Sequence, residues 1–138
     1  MDGKAVELIL LRQLLGRLPL PATLVDAEGK VIYVNPASER LLGWDLAAYG
    51  NELPISRVPE LLDPRYSDES HMDVQDMPLS KALHDRRPQQ YRMIIHDRSG
   101  AAHRIVTTAI PLDGQGGTLL GAMNFFWEED EAQEPVAT

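Results

Sequence analysis

The stretch LVDAEGKVIYVNPASERLLGW, residues 24–44, decides the fold. Two β-rich runs, Ala22–Asp26 and Lys30–Val34, are separated by AEG, a turn whose Gly29 can take positive φ, so the segment reads as a hairpin. Asn35 and Pro36 follow. An Asn side chain accepts a hydrogen bond from the free amides at a helix start, and Pro is pre-shaped for the first helical position. The helix ASERLL then runs to Gly43, with Leu41 and Leu42 on its buried side. The stretch is architecture and holds no obvious catalytic group.

Upstream, VELILLRQLLGRLPL resembles a signal sequence in its apolar character. Glu7, Arg12, Gln13 and Arg17 interrupt it, however, and no small-residue cleavage site follows. It is too short and too polar to span a bilayer. On a helix, Leu8, Leu10, Leu11, Leu14, Leu15 and Leu18 share an arc roughly 160° wide, whereas burial against one domain face takes a stripe of about 100°. Val6 and Ile9 lie outside that arc. The surplus implies two packing partners, the helix's own domain and a second copy. Leu8, Leu11, Leu15 and Leu18 follow a 3–4–3 spacing like a coiled-coil seam and are the expected homodimer interface; a capping helix alone is the alternative. Pro19 and Pro21 end the helix.

Downstream, the pattern weakens between residues 45 and 77. Pro54, Pro59, Pro64 and Pro78 permit only short helices, of which VPELL is one, and the polar run at 66–76 reads as loop. MPLSKALHDRR reads as a further helix with Leu79, Ala82 and Leu83 facing inward. The last third changes period. Residues 90–97, 103–112 and 118–127 read as strands split by RSGA and DGQGG, which implies sequential antiparallel pairing. Helix, two strands, short helices and three strands make an α+β domain with one five-stranded antiparallel sheet. The expected boundaries are an amphipathic cap and dimerisation helix at 1–18, the main domain at 19–127 and an acidic flexible tail at 128–138.

Composition narrows the function. A chain of 138 residues with 43% hydrophobic content is long enough to bury one core. It has no Cys, which removes disulfides, thiolate zinc sites and thiol chemistry, and fits a cytoplasmic protein. A net charge of −8 repels phosphate backbones, so direct nucleic-acid binding is disfavoured. Part of the excess is the run EEDEAQE at 128–134.

Taken in order, LVDAEGKVIYVNPASERLLGW, DMPLSKAL and IPLDGQGGTLLGAMNFF resemble a PAS domain, the sensory fold of signalling proteins, over residues 18–127. The resemblance implies strand order 2-1-5-4-3, short helices across the inner face, and a ligand pocket between helices and sheet. It likens the leading helix to the N-terminal cap through which many PAS domains dimerise. It also implies signal transduction of the bacterial two-component or transcription-regulator type, through an effector domain or regulatory protein. The chain departs from the pattern at its end, where FFWEEDEAQEPVAT lacks the Asp-Ile-Thr-like exit that couples many members to an effector.

Catalysis finds no support. Ser38 has no G-x-S-x-G setting, no H-E-x-x-H or phosphate loop occurs, and GQGG reads as a turn between two strands. A covalent flavin adduct requires a Cys and is excluded. Non-covalent flavin would find Trp44 and Asn51 as contacts. Haem would need an axial ligand, for which His84 is best placed, although it falls beside the apolar stripe and suits the helix C-terminus as a charge. His71, His96 and His103 lie on a loop and strands, and none of the four has paired metal-ligand spacing. The remaining expectation is an apolar pocket built from Leu42, Trp44, Met77, Leu83, Met93, Ile95, Met123, Asn124 and Phe125, the alternative being plain core. Period two puts Leu119, Gly121, Met123 and Phe125 on one face of the closing strand and Leu120, Ala122, Asn124 and Phe126 on the other. Both rows are largely apolar, so the sheet is expected to be covered on both sides. The expected function is a sensor and dimerisation module that binds a small apolar or amphiphilic ligand such as a fatty acid. A ligand-free dimerisation module and a haem or flavin redox sensor are the alternatives.

Overall fold

The computed structural model describes residues 3–129. In chain order it comprises α1 (Gly3–Gly16), β1 (Ala22–Asp26), β2 (Lys30–Val34), α2 (Pro36–Leu42), β3 (Leu53–Pro54), α3 (Val58–Leu62), β4 (Arg65–Tyr66), α4 (Pro78–Asp85), β5 (Gln89–His96), β6 (Ala102–Asp113) and β7 (Leu119–Glu128). The strands form one antiparallel sheet in the order β3-β2-β1-β7-β6-β5-β4. The five long strands keep the expected order, but the sheet has seven strands, not five. The extra two lie at the edges and come from the segment whose pattern is weakest. Each is two residues long, and Pro54, which lacks an amide donor, can pair only at such an edge. Short edges also leave little unpaired backbone to recruit another chain.

The hairpin and α2 form as their residues dictate. Asp26 Oδ1 accepts from the amides of Glu28 and Lys30, both at 2.9 Å, and Gly29 closes the turn at φ 84°. Pro36 starts α2, and Gly43 ends it at φ 77° with its amide donating to the Glu39 carbonyl. Between the two elements stands Asn35, fully buried. Its Oδ1 accepts from the amides of Ala22 (2.9 Å) and Ser38 (3.0 Å). Its Nδ2 donates to the carbonyls of Leu15 (2.8 Å) and Leu20 (2.9 Å). One amide thus caps α2, satisfies a carbonyl at the end of α1 and fixes the start of β1.

The sheet is covered on both faces. On the outer face Ala22, Leu24, Met123 and Phe125 pack against α1, with Leu15 fully buried among them. Leu8, Leu11 and Leu18 complete that contact. The 3–4–3 seam therefore seats the helix on its own sheet, because the apolar outer face of β1 and β7 must be covered. The other part of the leucine arc, Leu10 and Leu14, is 59% exposed at each residue. On the inner face Val25, Val31, Ala109 and Ala122 pack on Leu53, Leu79 and Ala82, while Met93, Ile95, Ile105 and Phe126 pack on Leu42, Met72 and Met77. Gly121 of β7 pairs with Asp26 of β1, and a Cβ there would run into the Val25 carbonyl.

The chain's acidic end is not simply solvated. Glu128 closes β7 and Glu129 pairs with Arg92 at 3.0 Å. The rest of the expected tail, and residues 1 and 2 of the expected cap helix, lie outside the described residues. On β6, His103 places Nε2 2.8 Å from Asp97 Oδ2 and Nδ1 3.2 Å from Glu128 Oε2. Burial pushes the His103 pKa down, but the hydrogen bonds and charges of Asp97 and Glu128 outweigh it and raise the value. Asp97 is held well below the usual carboxylate range, first by the Ser99 hydroxyl at 2.6 Å, then by His103 and the amides of Ala101 and Ser99.

Asn35→Ala removes two acceptor bonds and two donor bonds from backbone groups, most of them buried. At about 1–3 kcal/mol for each orphaned buried group, and with the Leu15 carbonyl still holding the Leu18 amide, the loss in urea unfolding is expected at about 3–5 kcal/mol. For His103 the raised pKa means a contribution fully present below its ordinary value of 6.5 and lost as pH rises through the folded value. For Asp97 the depressed pKa means a contribution present above 3.8 and lost on acidification. The stability difference between wild type and His103→Gln is therefore expected to be largest between about pH 4 and 6.5 and to shrink towards alkaline pH, read from urea midpoints.

Candidate functional site

A cavity of about 110 Å³ lies between the inner face of the sheet and the helices α2, α3 and α4. Leu42 and Trp44 close it from the end of α2, Val58, Leu61 and Leu62 from α3, and Met77 and Leu79 from the start of α4. The sheet contributes Met93 and Ile95 of β5, Ile105 and Thr107 of β6, and Asn124 and Phe126 of β7. The wall is apolar because these strands show the cavity only one of their two alternating rows.

Trp44 is placed by its neighbours. The left-handed turn at Gly43 ends α2 just before it, and the Arg98 amide ties the β5–β6 turn to the Leu42 carbonyl at 2.8 Å. The Arg98 guanidinium stands 5.5 Å from the indole centroid and the Tyr49 ring 6.3 Å from it. The indole Nε1 is buried without a hydrogen-bond partner among the described residues. Asn124 pairs in the ladder with Thr23 on one side and Ala109 on the other. Its Nδ2 donates to Thr107 Oγ1 at 3.3 Å, while its Oδ1 is buried and unpartnered. Among the described residues Asp45 is the one charged residue in the lining, and its Oδ1 is occupied in capping the next turn through the Ala47 amide at 2.7 Å.

Of the residues expected from sequence, Leu42, Trp44, Met77, Met93, Ile95 and Asn124 meet at this cavity. Met123 and Phe125 do not. Strand alternation turns them to the outer face beneath α1, so that Phe126, not Phe125, accompanies Asn124. Leu83 packs beside Val25 and Ala82 rather than in the lining. His84 points away altogether: its side chain is 90% exposed and its Nδ1 lies 2.8 Å from Asp85. No His lines the cavity among the described residues, so the imidazole ligand expected for haem is not in position. A cavity of about 150 Å³ holds benzene. The volume here is of the order of a single ring. Asn51 is exposed and outside the lining. Among the described residues no group of three or more His, Asp or Glu is arranged to hold a metal ion.

Sequence reasoning missed Tyr49, Val58, Leu61, Leu62, Ile105, Thr107 and Phe126. Phe126 had a signal, because it shares parity with Asn124. The α3 residues had none beyond the VPELL helix itself. Met72, fully buried in the core near the cavity, comes from the segment read as polar loop.

Among the described residues no helix is long and apolar enough to cross a membrane. None of the curated proteins compared matches the chain. Solved structures do. The PAS domain of the fruit-fly ELK potassium channel is 14% identical, with 88% of this chain and 95% of that one covered at a TM-score of 0.69. The PAS domain of Bordetella pertussis BvgS is 17% identical over 91% and 89% at 0.58. The light-state LOV domain of the blue-light photoreceptor Aureochrome1 is 16% identical over 88% and 91% at 0.61. At such identities these likenesses speak for the fold alone. The sequence profile of the PAS fold matches residues 15–133, from the end of α1 past the last strand, and the chain belongs to that family.

Proposed function

We propose that this domain is a cytoplasmic sensor that acts by binding, taking a small, largely apolar molecule into the cavity and reporting its presence through β7 to α1. The cavity carries the reading. Asn124 and Phe126 of β7 line it, while Met123 and Phe125 of the same strand lie beneath α1. A ligand that shifts the inner row of β7 shifts the seat of α1 with it. Such a signal needs a ligand with different affinity for the two packings. The output passes to an effector domain or regulatory protein. The fatty acid expected from the sequence suits the apolar wall but not the volume of about 110 Å³, which a long chain exceeds.

A second observation favours self-association. Val6 and Ile9 are 43% exposed, and Leu10 and Leu14 59%, on the side of α1 turned from the sheet. These residues, rather than the seam Leu8, Leu11, Leu15 and Leu18, are the proposed homodimer contact.

The ligand reading is tested by thermal unfolding with single-ring apolar compounds. A compound at about 100 times its Kd stabilises by about 2.7 kcal/mol, which for a domain of this size raises Tm by roughly 5–10 °C. Val58→Phe, which fills the cavity from α3, should keep the fold and abolish the shift. No Tm change with any compound would refute the reading. For the dimer, Leu10→Glu with Leu14→Glu should yield a folded monomer in light scattering; a wild-type chain that is already monomeric at high concentration would sink the idea.

A further inference from the structure

Two unpartnered polar atoms belong to residues that line the cavity, and no basic residue among the described residues lines it. The Trp44 Nε1–H is a donor, the Asn124 Oδ1 an acceptor, and both are buried without a partner among the described residues, on residues that line the same cavity. A third such atom, Ser80 Oγ, belongs to a residue outside the lining. A buried polar group left unpaired costs about 1–3 kcal/mol, so two beside one cavity favour an occupant that satisfies them. Asn124 Nδ2 donates to Thr107 Oγ1 at 3.3 Å, which leaves Oδ1 as the orphaned atom of the amide.

Charge excludes another class. No Arg, Lys or His lines the cavity among the described residues, and the one ionisable acid there is Asp45. Two cations stand against aromatic residues of the lining: Arg98 lies 5.5 Å from the Trp44 ring centroid, and Arg57 lies 5.9 Å from the Tyr49 ring centroid and 3.5 Å from Glu60. An ionised carboxylate entering this wall would lose its hydration with no opposite charge to replace it. A saturated hydrocarbon would fill the space but leave both polar atoms unmet.

Building on the sensor reading above, we infer that the cavity is specific for a neutral, single-ring molecule bearing a hydroxyl or amide, which accepts from the Trp44 indole and donates to Asn124 Oδ1. Sites that hydrogen-bond a ligand group reject analogues lacking it, because the site's own atoms are then left unpaired. Specificity thus comes from the protein's two orphaned atoms and size from the cavity.

The test compares benzamide, phenol, benzene and benzoate at pH 7.5 by calorimetry and by amide and indole NMR of the intact chain. Benzamide or phenol is expected to bind at least 10-fold more tightly than benzene, and benzoate more weakly than either. The indole N–H resonance that Trp44→Phe removes should move on binding, while that of Trp127 should not. Asn124→Leu should lower the ratio of benzamide to benzene affinity from at least 10-fold towards one. Should Asn124→Leu fail to fold, Trp44→Phe serves as the second variant, with the same expected loss for benzamide. Benzene binding as tightly as benzamide and phenol would overturn this inference and leave the sensor reading standing. Benzoate binding as tightly as they do would overturn it too. Binding by none of the four would overturn both.

Discussion

Four hydrogen bonds to the buried side-chain amide of Asn35 join elements that the chain supplies separately. Two donors and two acceptors of one planar group meet two carbonyls and two amides, so the end of α1, the turn after it, the first residue of β1 and the first turn of α2 can take only one mutual arrangement. Everything else inherits it. With β1 fixed beneath α1, β7 must pair beside it; with α2 fixed at its cap, Leu42 and Trp44 reach the cavity. A lone capping residue would have done only the last of these jobs.

The central pair of strands carries the other constraint. β1 and β7 are covered on both faces, so each residue serves either α1 or the cavity, and the alternation of side chains decides which. Packing at that junction is tight: Gly121 is the residue that lets β7 approach the Val25 carbonyl. Such a strand transmits displacement well, because the interior is too dense to absorb it locally. This is the physical basis of the proposed link between a molecule under the helices and the helix on the opposite face.

What was legible in the sequence was local. The turn from Asp26 to Gly29, the Asn35–Pro36 start of α2 and its stop at Gly43 depend on side chains within a few residues of the backbone groups they satisfy. The three long strands at the end were legible through their period. The segment from 45 to 77 was not, since its short turns and two-residue strands are held by distant partners: β3 by β2, β4 by β5, and Met72 by a core assembled from five elements or more. Tyr49 and Val58 enter the lining for the same reason.

The heptad-like leucines show the division most clearly. Their spacing established a helix with more apolar surface than one ordinary contact consumes. It left open which part of the arc faces the domain and which faces outward, because spacing records the separation of residues and carries no information on the surface opposite them. The sequence by itself determined the family, the order of the long strands, the hairpin and cap of residues 24–44, and the lack of thiol chemistry. Only the tertiary structure decided that Leu15 is buried within its own chain, that Phe126 lines the cavity in place of Phe125, that His84 stands in solvent, and that an indole N–H and an amide oxygen stay unpaired beside one apolar space. Burial and hydrogen-bond satisfaction are properties of surfaces brought together from far along the chain, and no local pattern contains both halves of such a contact.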